Sequence, residues 1–398
     1  MAAGAGLDRG YGDWFAYLFG FAEHQPGAQP HDTVREHIEV VGETMRSKVN
    51  GMEYKIGRFR TPTLQSLRDD PALAELRGKG RLTLRMEFGD VSQFHADPAN
   101  EFATFQAASQ FNCLEFVSPS VTPERGVTCY SSDRTQGPAC AIACGPGTVY
   151  RNYFARACDL EGGHWPDPEQ IGQSAEQQIE NLRDLTRHLG DEAEGRPGRF
   201  FNVDGGYSMA RGGRGDERLA DLNQTLARSF AEEGAREVAL GKIRLGVHSD
   251  VQVTSFGWGG NPVGRELFED KKPPYAAHPV EQPRTVTQVY GSACSVAYSG
   301  NRTESWEQFA KLVLDGSYEA TLLVALHNTV RHSAPQGAGP TRVFLTMLGG
   351  GVFGNEMEWI ASAIERACAR FADCPLDVRI VNYDRSVPPE IAAVCERF

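Results

Sequence analysis

The chain has 398 residues, 40% of them hydrophobic, enough to bury a large core in one big domain or two ordinary ones. A formal net charge of −12 argues against general nucleic-acid binding, which needs basic surface, and no apolar run of 18 residues predicts a membrane span. Nine cysteines without a CxxC exclude a disulfide framework or zinc site, and the start lacks the basic-then-apolar pattern of a signal peptide, so reduced thiols in a cytoplasmic or nuclear protein are expected.

Apolar residues at helical spacing in DWFAYLFGFAE (13–23) predict a first helix, broken by Pro26, Gly27 and Pro30. HDTVREHIEVVGETMRSKV (31–49) predicts a second, with Asp32 as N-cap. MEYKIGRFRTPTLQSLR (52–68) reads as strand, turn and a helix capped by Thr61 or Thr63, so residues 1–80 are expected to be a mainly helical extension. RLTLRMEFGDV (81–91) alternates polar and apolar residues and predicts a strand, and EFATFQAASQFNCLEFVSP (101–119) opens as another. The Pro- and Gly-dotted stretch 121–154 predicts mostly loop with a short buried segment, and a loop that long is usually functional.

Further on, 174–191 predicts a helix capped by Ser174 and stopped near Gly190, 192–217 a turn-rich strand region, and 216–239 a helix. KIRLGVHSDVQVTSF (242–256) predicts a strand, 257–283 a loop, TVTQVYGSACSVAY (285–298) a strand and 304–332 a long helix. RVFLTML (342–348) then leads through glycines to the helix EWIASAIERA (358–367), and LDVRIVNYD (376–384) is a last strand. Strands alternating with helices point to an α/β sheet covered on both faces, and no composition break divides 81–398.

The stretch LGGGVFGN (348–355) sits where α/β sheets bind ligands, at the carboxyl end of a strand and the start of a helix. Glycines there let backbone amides approach phosphate oxygens; the alternative is a tight turn needing positive φ, although three consecutive glycines plus Gly354 exceed what one turn requires. The spacing is neither a P-loop nor a good GxGxxG. Asn112 and Glu115 past one strand, with Asp133 and Gln136 before a Gly-Pro turn, suit sugar hydroxyls and equally suit turn capping. Asp90 is a turn residue or a ligand contact. Asp250, beside His248, lies in a strand, where Asp is disfavoured, so a structural hydrogen bond or a functional role is needed. Asp315 and Glu319 share one helix face, either solvated or, among such apolar neighbours, partly buried and paired. Cys–His arrangements are weak, and GxSxG is absent.

The Gly-Asp-Val closing an early strand, the Asn-bearing loop after the next, and the late strand–GGGVFG–helix together resemble the macrodomain family, which binds ADP-ribose. The resemblance implies an α/β, macrodomain-like mixed sheet flanked by helices, with an N-terminal helical extension (1–80), insertions, and an ADP-ribose-binding catalytic domain over 81–398. It implies that Asp90 receives the adenine amino group, that Gly349, Gly350, Gly351, Val352, Gly354 and Asn355 wrap the diphosphate, and that Phe353 lies near the distal ribose. Asn112, Glu115 and Gln136 complete the expected substrate contacts.

FQAASQFNCLEFVSP, DRTQGPACAIA, GTVYRNYF and VYGSACSVAYS are similar to a divergent branch of that family, the MavL-type bacterial effectors and their eukaryotic relatives, arginine-specific ADP-ribosyl hydrolases. This branch implies cleavage of the ribose C1''–N bond to a modified arginine, with ADP-ribose as product, no cofactor and no metal. The implied partner is an ADP-ribosylated protein, ubiquitin among the candidates. The tandem glutamates and glycine-rich catalytic loop of poly(ADP-ribose) glycohydrolases are absent, which argues against polymer cleavage. Asp133, Asp250 and Glu319 are the candidate carboxylates for stabilising the oxocarbenium-like transition state and holding the departing guanidinium. The alternatives are a non-catalytic ADP-ribose reader, which would bind and release nothing, and a hydrolase of a small ADP-ribose derivative.

Overall fold

In the computed structural model, residues 14–190, 198–210, 215–255, 283–332 and 340–398 are described. Most of the loop expected over 257–283 falls outside them, as do the first thirteen residues. The chain opens with α1 (Trp14–Phe19), α2 (Pro30–His37), β1 (Ile38–Val41), β2 (Thr44–Ser47), β3 (Glu53–Lys55), β4 (Arg58–Arg60) and α3 (Leu64–Arg68). It continues with β5 (Thr83–Phe88), α4 (Val91–Ala96), β6 (Thr104–Ala108), α5 (Gln136–Ala143), α6 (Gly145–Tyr153) and α7 (Arg183–His188). Next come β7 (Asn202–Asp204), β8 (Tyr207–Met209), α8 (Gly215–Ser229), α9 (Ala235–Gly241), β9 (Gly246–Gln252) and β10 (Thr285–Gly291). The last elements are α10 (Thr303–Arg331), β11 (Thr341–Leu345), α11 (Met357–Arg370), β12 (Leu376–Asn382) and α12 (Pro389–Cys395).

Seven strands form the main sheet in the order β4-β9-β10-β6-β11-β12-β5. The five from β10 to β5 are parallel, and β9 and β4 add an antiparallel edge. Alternation along β11 shows how both faces are used. Val343 and Leu345 join the core beneath α10 and α11, while Phe344 points into the opposite core with Ala139, Cys140 and Cys144 of the α5–α6 side. The mixed α/β sheet flanked by helices is therefore the architecture the sequence predicts. A third core lies at the N-terminal end, where Trp14, Phe15, Leu18 and Phe19 pack with Tyr130 and Tyr153.

The first 60 residues differ from the expected helical extension. The helix expected over 31–49 ends at His37, and Ile38–Ser47 forms a hairpin that β3 extends into a three-stranded sheet. Ile38, Val40 and Val41 fit either period, and Gly42, at φ 59°, turns the chain between the two strands. β4 then joins the main sheet beside β9, so its edge comes from before residue 81. The helix expected from Ser174 forms only at Arg183–His188. Side-chain amides hold the intervening chain open: Gln173 Nε2 donates to the carbonyls of Asn112 and Arg151, and its Oε1 accepts the Ile179 amide. Conversely, 121–154 contains α5, whose Gly, Ala, Pro and Cys residues are buried all round and so give no amphipathic period, and α6, whose opening Gly-Pro-Gly reads as loop.

Candidate active site

Because β5, β6, β10, β11 and β12 run the same way, the segments leaving their carboxyl ends converge. They enclose a cleft of about 980 Å³. Asp90, Glu115, Asp133, Gln136 and the run Gly349–Phe353 all line it.

One wall is the loop after β11. Gly349 (φ 77°) lies against Ala293, where an added Cβ would come within 2.4 Å of the Ala293 methyl. The Asn355 amide donates to the Gly349 carbonyl at 3.0 Å, and Asn355 Nδ2 donates to Cys294 O at 2.8 Å. Asn355 and Gly354 thus close the loop from behind rather than lining the cleft. Among the described residues, the successive amides of Gly351, Val352 and Phe353 have no acceptor, and all three residues face the cleft. Such a run of free N–H groups is an anion-binding concavity. The Phe353 ring is nearly buried, 5.2 Å from Tyr207 and 5.7 Å from Tyr298.

Asp90 follows β5 and caps α4: its Oδ1 accepts the Ser92 amide (2.9 Å) and hydroxyl (2.7 Å). Burial raises its carboxyl above the usual range. No hydrogen bond to its other oxygen is seen among the described residues.

Glu115 is presented by a tight turn in which Cys113 has φ 62°. Three contacts fix it: Gln110 pairs its side-chain amide with both backbone groups of Phe116, Asn112 Oδ1 accepts the Leu114 amide, and the Glu115 amide donates to the Tyr130 hydroxyl at 2.9 Å. Asn112 therefore shapes the turn from outside the cleft. Glu115 Oε1 is buried and has no partner among the described residues. Oε2 lies against Gly137 in the first turn of α5, where any Cβ would come within 2.3 Å of it. Burial pushes the Glu115 carboxyl well above the usual range. The Arg151 guanidinium and a Ser109 hydrogen bond oppose the shift, and the Asp133 charge adds to it. Asp133, half-buried, uses Oδ1 to accept the Thr135 amide at 2.8 Å. Gln136 lines the cleft, but its amide is spent on β6, accepting from Ala108 N and donating to Gln106 O.

The other two carboxylates singled out in the sequence lie elsewhere. Asp250 sits on β9 toward the end of the sheet remote from the cleft, paired with Arg331 and with His332 Nε2 at 2.8 Å. Glu319 is fully buried on α10 among Arg68 (2.7 Å), Arg366 (2.7 Å) and Arg370 (3.0 Å). Both are committed ion-pair partners and do not line the cleft. Tyr130, Gln110 and Arg151 went unnoticed in the sequence because their importance comes only from contacts across the fold. Arg151, completely buried, donates to Cys113 O and Thr148 Oγ1 and lies 3.7 Å from the centre of the Tyr290 ring.

Neither a family model nor a curated protein matches this chain. Among solved structures it is similar to poly(ADP-ribose) glycohydrolase from Thermomonospora curvata bound to the inhibitor ADP-HPD, with 14% identity, 92% of this chain and 96% of that one covered, and a TM-score of 0.38. It is also similar to poly(ADP-ribose) glycohydrolase from Deinococcus radiodurans in complex with ADP-ribose, with 10% identity, 85% and 93% covered, and a TM-score of 0.42. Neither likeness is close enough to assign a residue or a reaction in this chain.

Proposed function

We propose that this protein is a hydrolase that removes ADP-ribose from modified arginine side chains of proteins. The observation that carries the reading is the pairing of a buried Glu115, whose Oε1 has no partner among the described residues, with the wetter Asp133 in one cleft, facing a loop of free amides. The amides of Gly351–Phe353 suit a diphosphate and the free oxygen of Asp90 suits the adenine amino group. Together these contacts would hold the distal ribose by orientation alone.

A glycosidic bond is cut most readily between two carboxyl groups of unlike protonation. Glu115, kept neutral by burial, protonates the guanidine nitrogen as the C1''–N bond breaks. Asp133 stabilises the oxocarbenium-like centre and takes a proton from the water that adds to C1''. Free ADP-ribose and arginine result. With Glu115 neutral, the charged residues of the lining are Asp90, Asp133 and Asp384 against Arg134, a balance that favours a guanidinium-bearing substrate. This residue set requires no metal ion.

The test is release of ADP-ribose from an arginine-modified protein. Glu115→Gln should lower turnover by about 10²- to 10⁴-fold while ADP-ribose affinity stays within a few-fold. A wild-type protein that binds ADP-ribose tightly yet releases none would establish a reader instead. Turnover of small ADP-ribose derivatives without any on protein would move the reading to a nucleotide hydrolase.

A further inference from the structure

Outside the cleft, the N-terminal segment buries one carboxylate that pairs with no Lys or Arg among the described residues, the half-exposed His24 lying with its Nε2 3.6 Å from Oε2. Glu23 follows α1, and its side chain is fully buried. Its Oε1 accepts the Val127 amide at 2.8 Å and the Tyr153 hydroxyl at 2.6 Å. Its Oε2 accepts the Thr128 amide at 2.9 Å and the Thr128 hydroxyl at 2.6 Å. Gly126 (φ 81°) makes room, since a Cβ there would come within 2.5 Å of Oε2. Four donors thus saturate the carboxylate, two of them consecutive backbone amides at the start of the 3-10 turn Thr128–Ser132.

That turn contacts both halves of the cleft's acidic pair. Tyr130, at its centre, accepts the Glu115 amide through its hydroxyl, and the Asp133 amide donates to the Tyr130 carbonyl at 3.1 Å. We infer that Glu23 is a positioning residue: it anchors the turn that sets Glu115 and Asp133 relative to each other, and thereby gives the N-terminal segment a role in the reaction. This rests on Glu115 and Asp133 being the reacting pair. A Gln at position 23 keeps the shape but turns an NH₂ group toward donors, so the anchor loosens without a cavity.

The experiment compares the full chain with Glu23→Gln, Thr128→Val and Thr128→Ser by hydrogen–deuterium exchange and kinetics. In Glu23→Gln the amides of 127–133 should exchange at least about tenfold faster while 349–355 stay as in the wild type. The kcat should fall at least about tenfold with the ADP-ribose Kd changed less than about threefold. Thr128→Val should follow in the same direction, and Thr128→Ser, which keeps all four donors, should match the wild type. Unchanged exchange at 127–133, or faster exchange spread evenly over the molecule, overturns the assignment. Altered exchange at 127–133 with an unchanged kcat overturns the role in the reaction. If the wild type releases no ADP-ribose, the hydrolase reading fails, and the exchange pattern alone decides whether Glu23 holds the turn.

Discussion

Glu115 and Asp133 line the same cleft but differ in surroundings, and the difference reaches beyond the reaction. A carboxyl whose folded pKa is raised above its unfolded value binds a proton more readily in the folded state. Its contribution is fully present below the unfolded value and is lost as pH rises toward the folded one. For Glu115 the unfolded value is near 4.5, so the penalty of ionising it grows above that point. Glu115→Gln should therefore melt about 2 °C or more above the wild type near pH 8 and converge with it near pH 4. A variant less stable than the wild type at pH 8 would contradict the unpartnered Oε1. Turnover should fall as pH rises through the raised folded value of Glu115, because the acid is lost as it ionises.

At the scale of elements, the loop after β11 shows how much of the site could be read from the sequence. Strand, glycines and helix follow one another as predicted, since each signal lies within a few residues. The division within LGGGVFGN was hidden: Gly349 is demanded by its positive φ and by Ala293, whereas an added Cβ at Gly351 meets no atom within 4 Å. Gly349→Ala should cost roughly 1–3 kcal/mol and weaken ADP-ribose binding, while Gly351→Ala should leave the melting temperature unchanged; thermal melts of both variants check this. The segments misread are those whose apolar pattern fits either period or whose partners are remote. The hairpin Ile38–Ser47 and the extended chain around Gln173 take their shape from β3 and from carbonyls of 112 and 151. Asp250 stood out because Asp is disfavoured in a strand, and Glu319 because it shares a helix face with Asp315 among apolar neighbours. Their arginine partners, Arg331 for the one and Arg68, Arg366 and Arg370 for the other, lie 47 or more positions away.

Across the molecule, apart from Glu23 in its cradle of neutral donors, the buried acidic groups described above are held in two ways. Those of the cleft have few cations nearby, while those on the helical face are enclosed by arginine. Burial raises the Glu319 carboxyl, but hydrogen bonds from Arg68 and Arg366 outweigh it and hold it below the usual range. The same contest at Asp250 is decided by His332 and Arg331. A lowered folded pKa gives stability that is present at neutral pH and lost on acidification. Glu319→Gln removes the buried hub of this network and leaves Arg68, Arg366 and Arg370 only the outer carboxylates Glu237 and Asp315; it should cost about 1.5–3 kcal/mol at pH 7, with the gap to wild type narrowing below pH ~4. Denaturant titrations at both pH values read this out. Turnover per folded molecule should be unaffected, since Glu319 does not reach the cleft.

The bonds of Glu23 also set an order in time. Its acceptors wait for donors 104, 105 and 130 positions downstream. At roughly 5–20 residues per second of synthesis, Glu23 leaves the ribosome on the order of 5–20 s before the turn it anchors exists. During that interval the carboxylate stays hydrated, and the aromatic cluster Trp14, Phe15 and Phe19 lacks Tyr130 and Tyr153 to pack against. The apolar face of α1 then stays exposed until Tyr130 and Tyr153 have been made to cover it.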